Sequence, residues 1–206
     1  MHYALCTVHS LMCEVSMGII LASQSPRRKE LLGLFHIPFT VRVADIDETM
    51  DPKKPAAQEV ARVSRLKAEA VPHGNDDTVI AADTIVVCQG QILGKPKDEA
   101  DAFRMLQLLS GRDHQVMTGM TVLRGERCTV CTEITDIHFR PLSEKEILAY
   151  IATGEPMDKA GAYGIQGGAA LFAQRLVGDY YNVMGLPVCR LSLILKDLAP
   201  EIMEGA

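Results

Sequence analysis

The sequence predicts an α/β fold in which one mixed sheet is flanked by helices. Residues 78–88 form an apolar run typical of a buried strand, and residues 114–139 alternate as the two strands of a hairpin do. Between these strands lie stretches with apolar residues at helical spacing, such as the one that begins at Pro55. Because strands and helices are interspersed with a hairpin, a mixed sheet is the expected architecture.

The elements follow one another in a clear order. Strands are predicted at residues 19–22, 39–43 and 78–88, the last interrupted by Asp83 and Thr84, and in the hairpin around residues 124–126. Helices are predicted after Ser25-Pro26, after Pro55, over residues 98–109, after Ser143 and after Pro187.

Several helix boundaries are marked by single residues. Ser25 and Asp98 are good N-caps, and Ser143 with Glu146 three residues later forms a capping box. Gly111 follows the helix over residues 98–109 in the usual C-terminal place of glycine.

The composition argues against some classes of function. The 206 residues suit one domain or two closely packed lobes, and 48% of them are apolar, enough for a sizeable core. The formal net charge is -5 and no long basic run exists, which argues against a nucleic-acid partner. No apolar run approaches the roughly 20 residues that span a bilayer. We expect a cytoplasmic protein, and an anionic substrate remains compatible with local charge in a cleft.

The N-terminal segment precedes the first predicted strand. Residues 1–16 contain no Lys or Arg and make a poor signal peptide. We expect them to be a dispensable extension, with residues 17–206 as a single catalytic domain. An extra strand or helix packed on the domain is the alternative.

The six cysteines do not suggest a metal site or a disulfide framework. Cys128 and Cys131 form a lone C-x-x-C inside an alternating segment, and a zinc site would usually need a second ligand pair. Reduced thiols on a strand are therefore predicted.

The first candidate site is the corner at residues 23–29. A strand ends there and a helix begins at Ser25-Pro26, so free N–H groups and a partial positive charge are available for phosphate. Arg27 and Arg28 lie in the first turn, where cations oppose the helix dipole, and an oligophosphate ligand would compensate for this. A solvated basic patch on an ordinary helix fits the pattern equally well.

The second candidate is Asp83-Thr84. A carboxylate within a hydrophobic strand is unfavourable unless it is paired or binds a cation, and such carboxylates often mark functional sites. The alternative is an aspartate at a strand end that caps the next turn.

Three further features are weaker on their own. Asp45, Asp47 and Glu48 form an acidic loop that could hold Mg²⁺ together with substrate phosphates, or could simply be a solvated loop. Lys67 and Lys95 are candidate cations, although an isolated lysine is usually solvated.

A glycine-rich stretch over residues 158–167 could let the backbone approach a ligand closely. Within it, Gln166 could read the edge of a base because its amide both donates and accepts. An ordinary turn with a surface glutamine is the alternative.

Taken in order, these segments resemble the Maf family of nucleotide pyrophosphatases, from residue 19 to the terminal helix. The matching segments are L-A-S-Q-S-P-R-R at 21–28, A-A-D-T-I-V at 81–86, G-K-P at 94–96, L-S-G at 109–111, H-Q-V-M-T-G at 114–119, D-K-A-G-A-Y-G-I-Q-G at 158–167 and Y-Y-N-V-M-G-L-P at 180–187.

The resemblance implies a fold and a reaction. The fold would be an elongated mixed sheet with helices on both sides and a cleft between two lobes, a Maf- or ITPase-like arrangement. The reaction would be hydrolysis of a nucleoside triphosphate to the monophosphate and diphosphate with a divalent cation, Mg²⁺ or Mn²⁺. A homodimer is also common among proteins that look like this one.

The resemblance also assigns roles to residues. Asp83 corresponds to the proton acceptor, and the substrate-binding positions are Ser23, Arg27, Arg28, Lys67 and Lys95. The expected metal ligands are Glu48, Asp83 and Asp47. An acidic residue is more usual before the helix lysine than Arg65-Leu66, which is the main departure.

Three positions distinguish the branches of the family. Arg27, Thr84 and Gln166 match the branch that acts on dTTP and UTP, whereas a branch resembling a 7-methyl-GTP pyrophosphatase has Trp, Gln and Glu there. The resemblance therefore implies a dTTP/UTP pyrophosphatase. A nucleotide-binding regulator of cell division, or a pyrophosphatase for another modified nucleotide, is the alternative.

Overall fold

The computed structural model describes residues 18–204, which form one mixed sheet with helices around it. The strands are β1 (Ile19–Leu21), β2 (Phe39–Val41), β3 (Thr78–Cys88), β4 (Gln91–Leu93), β5 (Asp113–Arg124), β6 (Arg127–Phe139) and β7 (Ala173–Val177). The helices are α1 (Pro26–Gly33), α2 (Ala56–Ala70), α3 (Glu99–Leu109), α4 (Glu144–Ile151), α5 (Tyr180–Met184), α6 (Val188–Leu198) and α7 (Pro200–Glu204). The predicted α/β class is confirmed.

The sheet contains both parallel and antiparallel pairs. Its strands lie in the order β2-β1-β3-β5-β6-β7, and β4 pairs with β3. β1 runs parallel to β2 and β3, whereas the β3-β5, β5-β6 and β6-β7 pairs are antiparallel. The predicted hairpin is confirmed as β5 and β6.

Strand β3 is the strand around which the site is built. Asp83 and Thr84 interrupt an apolar run in the sequence, but β3 continues through both without a break. β1 pairs with residues 78–80 of β3, and β4 pairs with residues 86–88. Within the described part of the chain, residues 81–85 therefore have a strand neighbour only in β5. This leaves an opening in the sheet between the ends of β1 and β4.

Different helices cover the two faces of β3. Even-numbered positions pack into two cores, one with α1 and α6 around Ala82 and the other with α3 and α4 around Val86. Odd-numbered positions such as Ala81 and Ile85 pack against α2. Since successive side chains of a strand alternate, Asp83 and Thr84 face opposite sides of the sheet. The two cores lie at opposite ends of β3 with the opening between them, in agreement with the predicted two lobes and cleft.

Most of the predicted boundaries are confirmed. Ser25 and Asp98 cap α1 and α3 through their side chains, and Ser143 and Glu146 form the predicted capping box. The strand predicted over residues 39–43 was too long, because its partner β1 ends at Leu21 and β2 stops opposite it at Val41. The short helices α5 and α7 and the strands β4 and β7 were not predicted. Residues 1–16, predicted to be an extension, lie outside the described residues.

No helix within residues 18–204 is both long enough and apolar enough to cross a membrane.

Helix α2 approaches the sheet closely at Gly119 of β5. A Cβ atom at Gly119 would lie 2.3 Å from the backbone O of Val60 in α2, so no other side chain fits there. Gly119 pairs with Asp83 on β3, and α2 carries Lys67 two turns after Val60. The absence of a side chain at Gly119 therefore sets how near Lys67 lies to Asp83.

Replacing Gly119 with alanine should push α2 away from the sheet. We expect Gly119→Ala to lower the free energy of unfolding by about 2 kcal/mol, as overpacking does, measured by urea denaturation. Gly33→Ala is the matched control, because a Cβ atom at Gly33 has no neighbour within 4 Å. Equal stability of both variants would contradict the close approach of α2.

The core between β5 and α3 contains a neutral histidine. His114 is 3% exposed, its Nε2 lies 2.9 Å from Tyr163 Oη, and its ring packs edge-on against Phe139. Burial lowers the pKa of His114 from 6.5 to about 4, because the charged ring would lose its hydration.

This pKa predicts a pH-dependent stability. As the pH falls below 6.5, His114 becomes protonated in the unfolded chain. In the folded protein it stays neutral until about pH 4, so acid favours unfolding. The wild-type protein should therefore lose about 3 kcal/mol more stability than His114→Phe between pH 7 and pH 4. Denaturant midpoints at several pH values measure this, and parallel curves for the two proteins would refute it.

Candidate active site

A cavity of about 900 Å³ opens beside the unpaired segment of β3. It is lined by the corner after β1, the middle of β3, the acidic loop, the end of β4, the glycine-rich loop and the end of α5. Its wall carries five cationic side chains, Arg27, Arg28, Lys67, Lys95 and Lys159, and four carboxylates, Asp45, Glu48, Asp83 and Asp158. Although the whole chain is acidic, this wall is suited to a polyanion.

The corner after β1 is held together by Arg28. Its Nε donates to the backbone O of Gly185 at 2.8 Å, Nη1 to Ser23 Oγ at 3.2 Å, and Nη2 to Thr84 Oγ1 at 2.9 Å. Ser23 Oγ also accepts from the backbone N of Ser25 at 3.2 Å. Burial lowers the pKa of Arg28, and the charge of Asp83 opposes that effect. Arg28 therefore ties β1, β3 and α5 together at the cavity.

On the α2 side of β3, Lys67 lies between two carboxylates. Its Nζ is 2.7 Å from Asp83 Oδ1 and 2.8 Å from Glu48 Oε2. Asp83 is only 9% exposed, so this ammonium group supplies the partner that a carboxylate inside a hydrophobic strand requires. The suggestion that Asp83 merely caps a strand end is wrong, because β3 continues past it.

The same geometry fits a divalent cation. Oxygens of Glu48 and Asp83 already converge on one positive charge, and Mg²⁺ is often bound by one or two carboxylates that substrate phosphates supplement. Within the described residues there is no cluster of three or more His, Cys, Asp or Glu that could hold a metal unaided. A metal at this position would therefore depend on the substrate for its remaining ligands.

Asp47 does not join these two carboxylates. Its Oδ1 accepts from the backbone N of Thr49 at 2.9 Å, and among the described residues it is absent from the cavity wall. Hydrogen bonding from the side chain and the backbone N of Thr49 lowers the pKa of Asp47. The predicted role of Asp47 as a metal ligand has no support in the geometry, because its carboxylate holds the turn of the loop.

The acidic loop is anchored to α2 by residues that the sequence did not point to. Glu59 is 2% exposed and accepts from Arg62 and from the backbone N of Asp51, while Arg62 Nη2 donates to the backbone O of Thr49 at 2.7 Å. Hydrogen bonds from Arg62 and Asp51 lower the pKa of Glu59 to about 2. The loop that carries Glu48 is thus attached to the helix that carries Lys67.

On the other side of β3, the cavity is mostly apolar. This apolar half is defined by Thr84 together with Val86, Val116, Tyr163, Ile165, Val183 and Met184. Apolar walls with a few fixed polar groups are typical of sites for flat organic ligands. The cavity therefore has a charged half next to Asp83 and an apolar half next to Thr84.

The glycine-rich loop closes around the carboxylate of Glu155. Glu155 Oε1 accepts from Tyr150 Oη at 2.8 Å, and Oε2 accepts from the backbone N of Gly168 at 3.0 Å. Tyr150 Oη in turn accepts from the backbone N of Gly164 at 3.0 Å. A Cβ atom at Gly167 would lie 2.1 Å from Glu155 Oε1, so the glycine is needed for this packing.

The loop is also tied to the rest of the site. The backbone N of Gly161 donates to the backbone O of Gly94 at 3.0 Å, next to Lys95, and Asp158 lies 3.4 Å from Arg27 Nη1. Burial raises the pKa of Asp158, but hydrogen bonds and charge from Lys159 and Arg27 outweigh it and the net shift is downward. Gln166 lines the cavity from the exposed part of this loop.

The structure thus brings nine of the ten predicted site residues to one cavity, all but Asp47. They are Ser23, Arg27, Arg28, Glu48, Lys67, Asp83, Thr84, Lys95 and Gln166. Thr118 and Asn182 support Thr84. Both belong to segments that match the Maf family, at 114–119 and 180–187, but neither of them was assigned a role from the sequence. Glu155, Glu59 and Arg62 gave no signal, because an isolated charged residue looks the same in any loop or helix.

Cys128 and Cys131 lie on β6, as predicted, and both are free. Residues three apart on a strand face opposite sides of the sheet, so these two thiols cannot share one ion.

Removing single hydrogen bonds should loosen the glycine-rich loop without affecting the rest of the protein. Tyr150→Phe should speed amide hydrogen exchange at Gly164 by about tenfold, because its acceptor is lost. Glu155→Ala should do the same at Gly168. Tyr180→Phe is the control, since Tyr180 is exposed and contacts Tyr181 rather than the loop. Unchanged exchange in both loop variants would show that these bonds do not hold the loop.

Comparison with known proteins shows the family of this chain. The family model of Maf-like proteins matches residues 18–198 of the sequence. A protein named dTTP/UTP pyrophosphatase from Bacillus cytotoxicus is 49% identical over 178 residues, which cover 86% of this chain and 93% of that protein. One of the same name from Bacillus cereus is 49% identical over 91% of this chain and 98% of its own. Another from Alkaliphilus metalliredigens is 50% identical over 86% of this chain and 94% of its own.

Proposed function

Because the chain belongs to the Maf family, we propose that it hydrolyses dTTP and UTP to the monophosphate and diphosphate. The observation that carries the proposal is the meeting of Asp83 with five cationic side chains in one cavity. The names of relatives about half identical over most of the chain support the choice of substrates. Arg27, Thr84 and Gln166 all line the cavity and support the same choice.

The charged half of the cavity suits the triphosphate. Arg27, Lys67 and Lys95 can neutralise the leaving diphosphate, which is the main electrostatic demand of such a reaction. Within the described residues Lys95 has no carboxylate in ion-pair distance, so its charge is free for a phosphate. Ser23 and Arg28 shape the corner against which the phosphates would lie.

We assign the role of the general base to Asp83. Its carboxylate lies at the opening in the sheet, beside Lys67 and Glu48, where a water could reach both it and the α-phosphorus. Asp83 would take the proton of that water as the bond to the diphosphate breaks. A divalent cation held by Glu48 and Asp83 would supply positive charge that neutralises the phosphates and makes water more acidic.

The reaction can be tested directly. Purified protein with Mg²⁺ or Mn²⁺ should convert dTTP and UTP to monophosphate and diphosphate, and turnover in ¹⁸O-water should place the label in the monophosphate. Label in the diphosphate would instead show attack at the β-phosphorus. If none of the nucleotides tested yields diphosphate, the proposed function is refuted.

Asp83→Asn should lower kcat by about 10²–10⁴-fold, because the amide cannot accept the proton. The fold and the binding of UTP should persist, as measured by circular dichroism and calorimetry. Asp47→Asn is the matched control in the acidic loop and should retain most activity, since Asp47 lies away from the cavity wall. Comparable loss in both variants would contradict the assignment of the base.

A further inference from the structure

A line of hydrogen bonds connects α5 to α1 through the two central strands. Thr118 Oγ1 lies 3.0 Å from the backbone O of Asn182 and 2.9 Å from Thr84 Oγ1. Arg28 Nη2 donates to Thr84 Oγ1 at 2.9 Å. Thr118 is completely buried, so solvent cannot replace these partners.

The chemistry of the end groups sets the direction of the line. The carbonyl of Asn182 can only accept, so Thr118 donates its one hydroxyl proton to it. The Thr118 oxygen is then an acceptor, and Thr84 donates its own proton to that oxygen. Arg28 can only donate, so Thr84 accepts from Arg28. The hydroxyl proton of Thr84 therefore points towards Thr118. The remaining lone pair of the Thr84 oxygen faces the cavity, where it can accept a hydrogen bond.

The carbonyl that starts the line is held firmly. Asn182 is 0% exposed, and its Nδ2 donates to the backbone O of Val116 at 3.1 Å and to Thr135 Oγ1 at 2.9 Å. The backbone N of Gly185 donates to the same carbonyl at 3.0 Å. The acceptor facing Thr118 thus cannot turn away without breaking the packing of α5 on the sheet.

A lone pair at Thr84 discriminates between pyrimidines. Uracil and thymine carry an N–H group at ring position N3, whereas cytosine has an unprotonated acceptor nitrogen there. Thr84 is a polar group in the apolar half of the cavity, where a flat ring fits. An acceptor at that place would pair with the N–H of uracil or thymine and repel the nitrogen of cytosine.

We propose that Thr118 is a specificity-determining positioning residue, which locks the Thr84 hydroxyl as an acceptor and so favours uracil and thymine over cytosine. The inference rests on the proposed function, because it assumes that a nucleotide occupies the cavity with its base in the apolar half. Thr118 acts only through Thr84 and does not line the cavity among the described residues.

The test is Thr118→Val, which keeps the shape of the side chain and removes the hydroxyl. Without its acceptor, the Thr84 hydroxyl can turn its proton to the cavity and bind cytosine. The ratio of kcat/KM for UTP over CTP should fall by about tenfold, the effect of one hydrogen bond. The ratio of dissociation constants, measured by calorimetry without a divalent cation, should fall similarly. Thr118→Ser should restore both ratios.

A matched control lies on the same strand. Thr121 is also fully buried, and its hydroxyl bonds Ser64 Oγ at 2.8 Å on the α2 side of the sheet. Thr121→Val should lose comparable stability but keep the UTP-to-CTP ratio. In a Thr84→Val background, adding Thr118→Val should leave the ratio unchanged, which a merely structural role of Thr118 would not explain.

Three results would overturn the proposal. These are an unchanged ratio in Thr118→Val, an equal fall of the ratio in Thr121→Val, and an equal affinity of the wild-type protein for UTP and CTP. If Thr118→Val does not fold, Thr118→Ala serves in its place. If the wild-type protein yields no diphosphate from any nucleotide, the proposed function fails, but the dissociation constants still decide whether Thr118 controls base preference.

Discussion

Placing Asp83 within the central strand is the constraint on which the rest of the site depends. A carboxylate in the middle of a buried strand needs a cation, and Lys67 supplies one at 2.7 Å. Lys67 can come this near only because Gly119 lets α2 lie directly on β5. The same helix holds the acidic loop through Glu59 and Arg62, so one packing contact brings Lys67, Asp83 and Glu48 together.

The alternation of side chains along β3 divides the cavity. Asp83 faces α2 and the charged loop, whereas Thr84 faces the helices of the other side. Both reach one cavity because β1 and β4 stop short of residues 81–85 and leave the sheet open there. Adjacent residues of one strand can thus serve different parts of a single ligand, the phosphates on one face and the base on the other.

The corner at Ser23–Arg28 has two functions in this arrangement. Each of the three guanidinium nitrogens of Arg28 donates to a protein group, on Gly185, Ser23 and Thr84, so Arg28 fixes protein groups in addition to adding charge to the wall. Arg27 is less committed, with one ion pair to Asp158 at 3.4 Å. Two neighbouring arginines that look equivalent in the sequence therefore differ, one building the corner and the other remaining available to a ligand.

The sequence by itself predicted most of the helices and strands, the caps at Ser25, Asp98 and Ser143, and most of the residues that line the candidate site, since these depend on local spacing and on motifs. It could not show that Asp47 turns away, that Glu155 holds the glycine-rich loop, or that Thr118 supports Thr84. The Asp47 carboxylate accepts from a residue only two positions further on, a choice of partner that the residue types alone do not specify. The other two contacts join residues that are 13 and 34 positions apart. Only the tertiary structure decided those, because hydrogen-bond direction and close packing arise when separate segments meet.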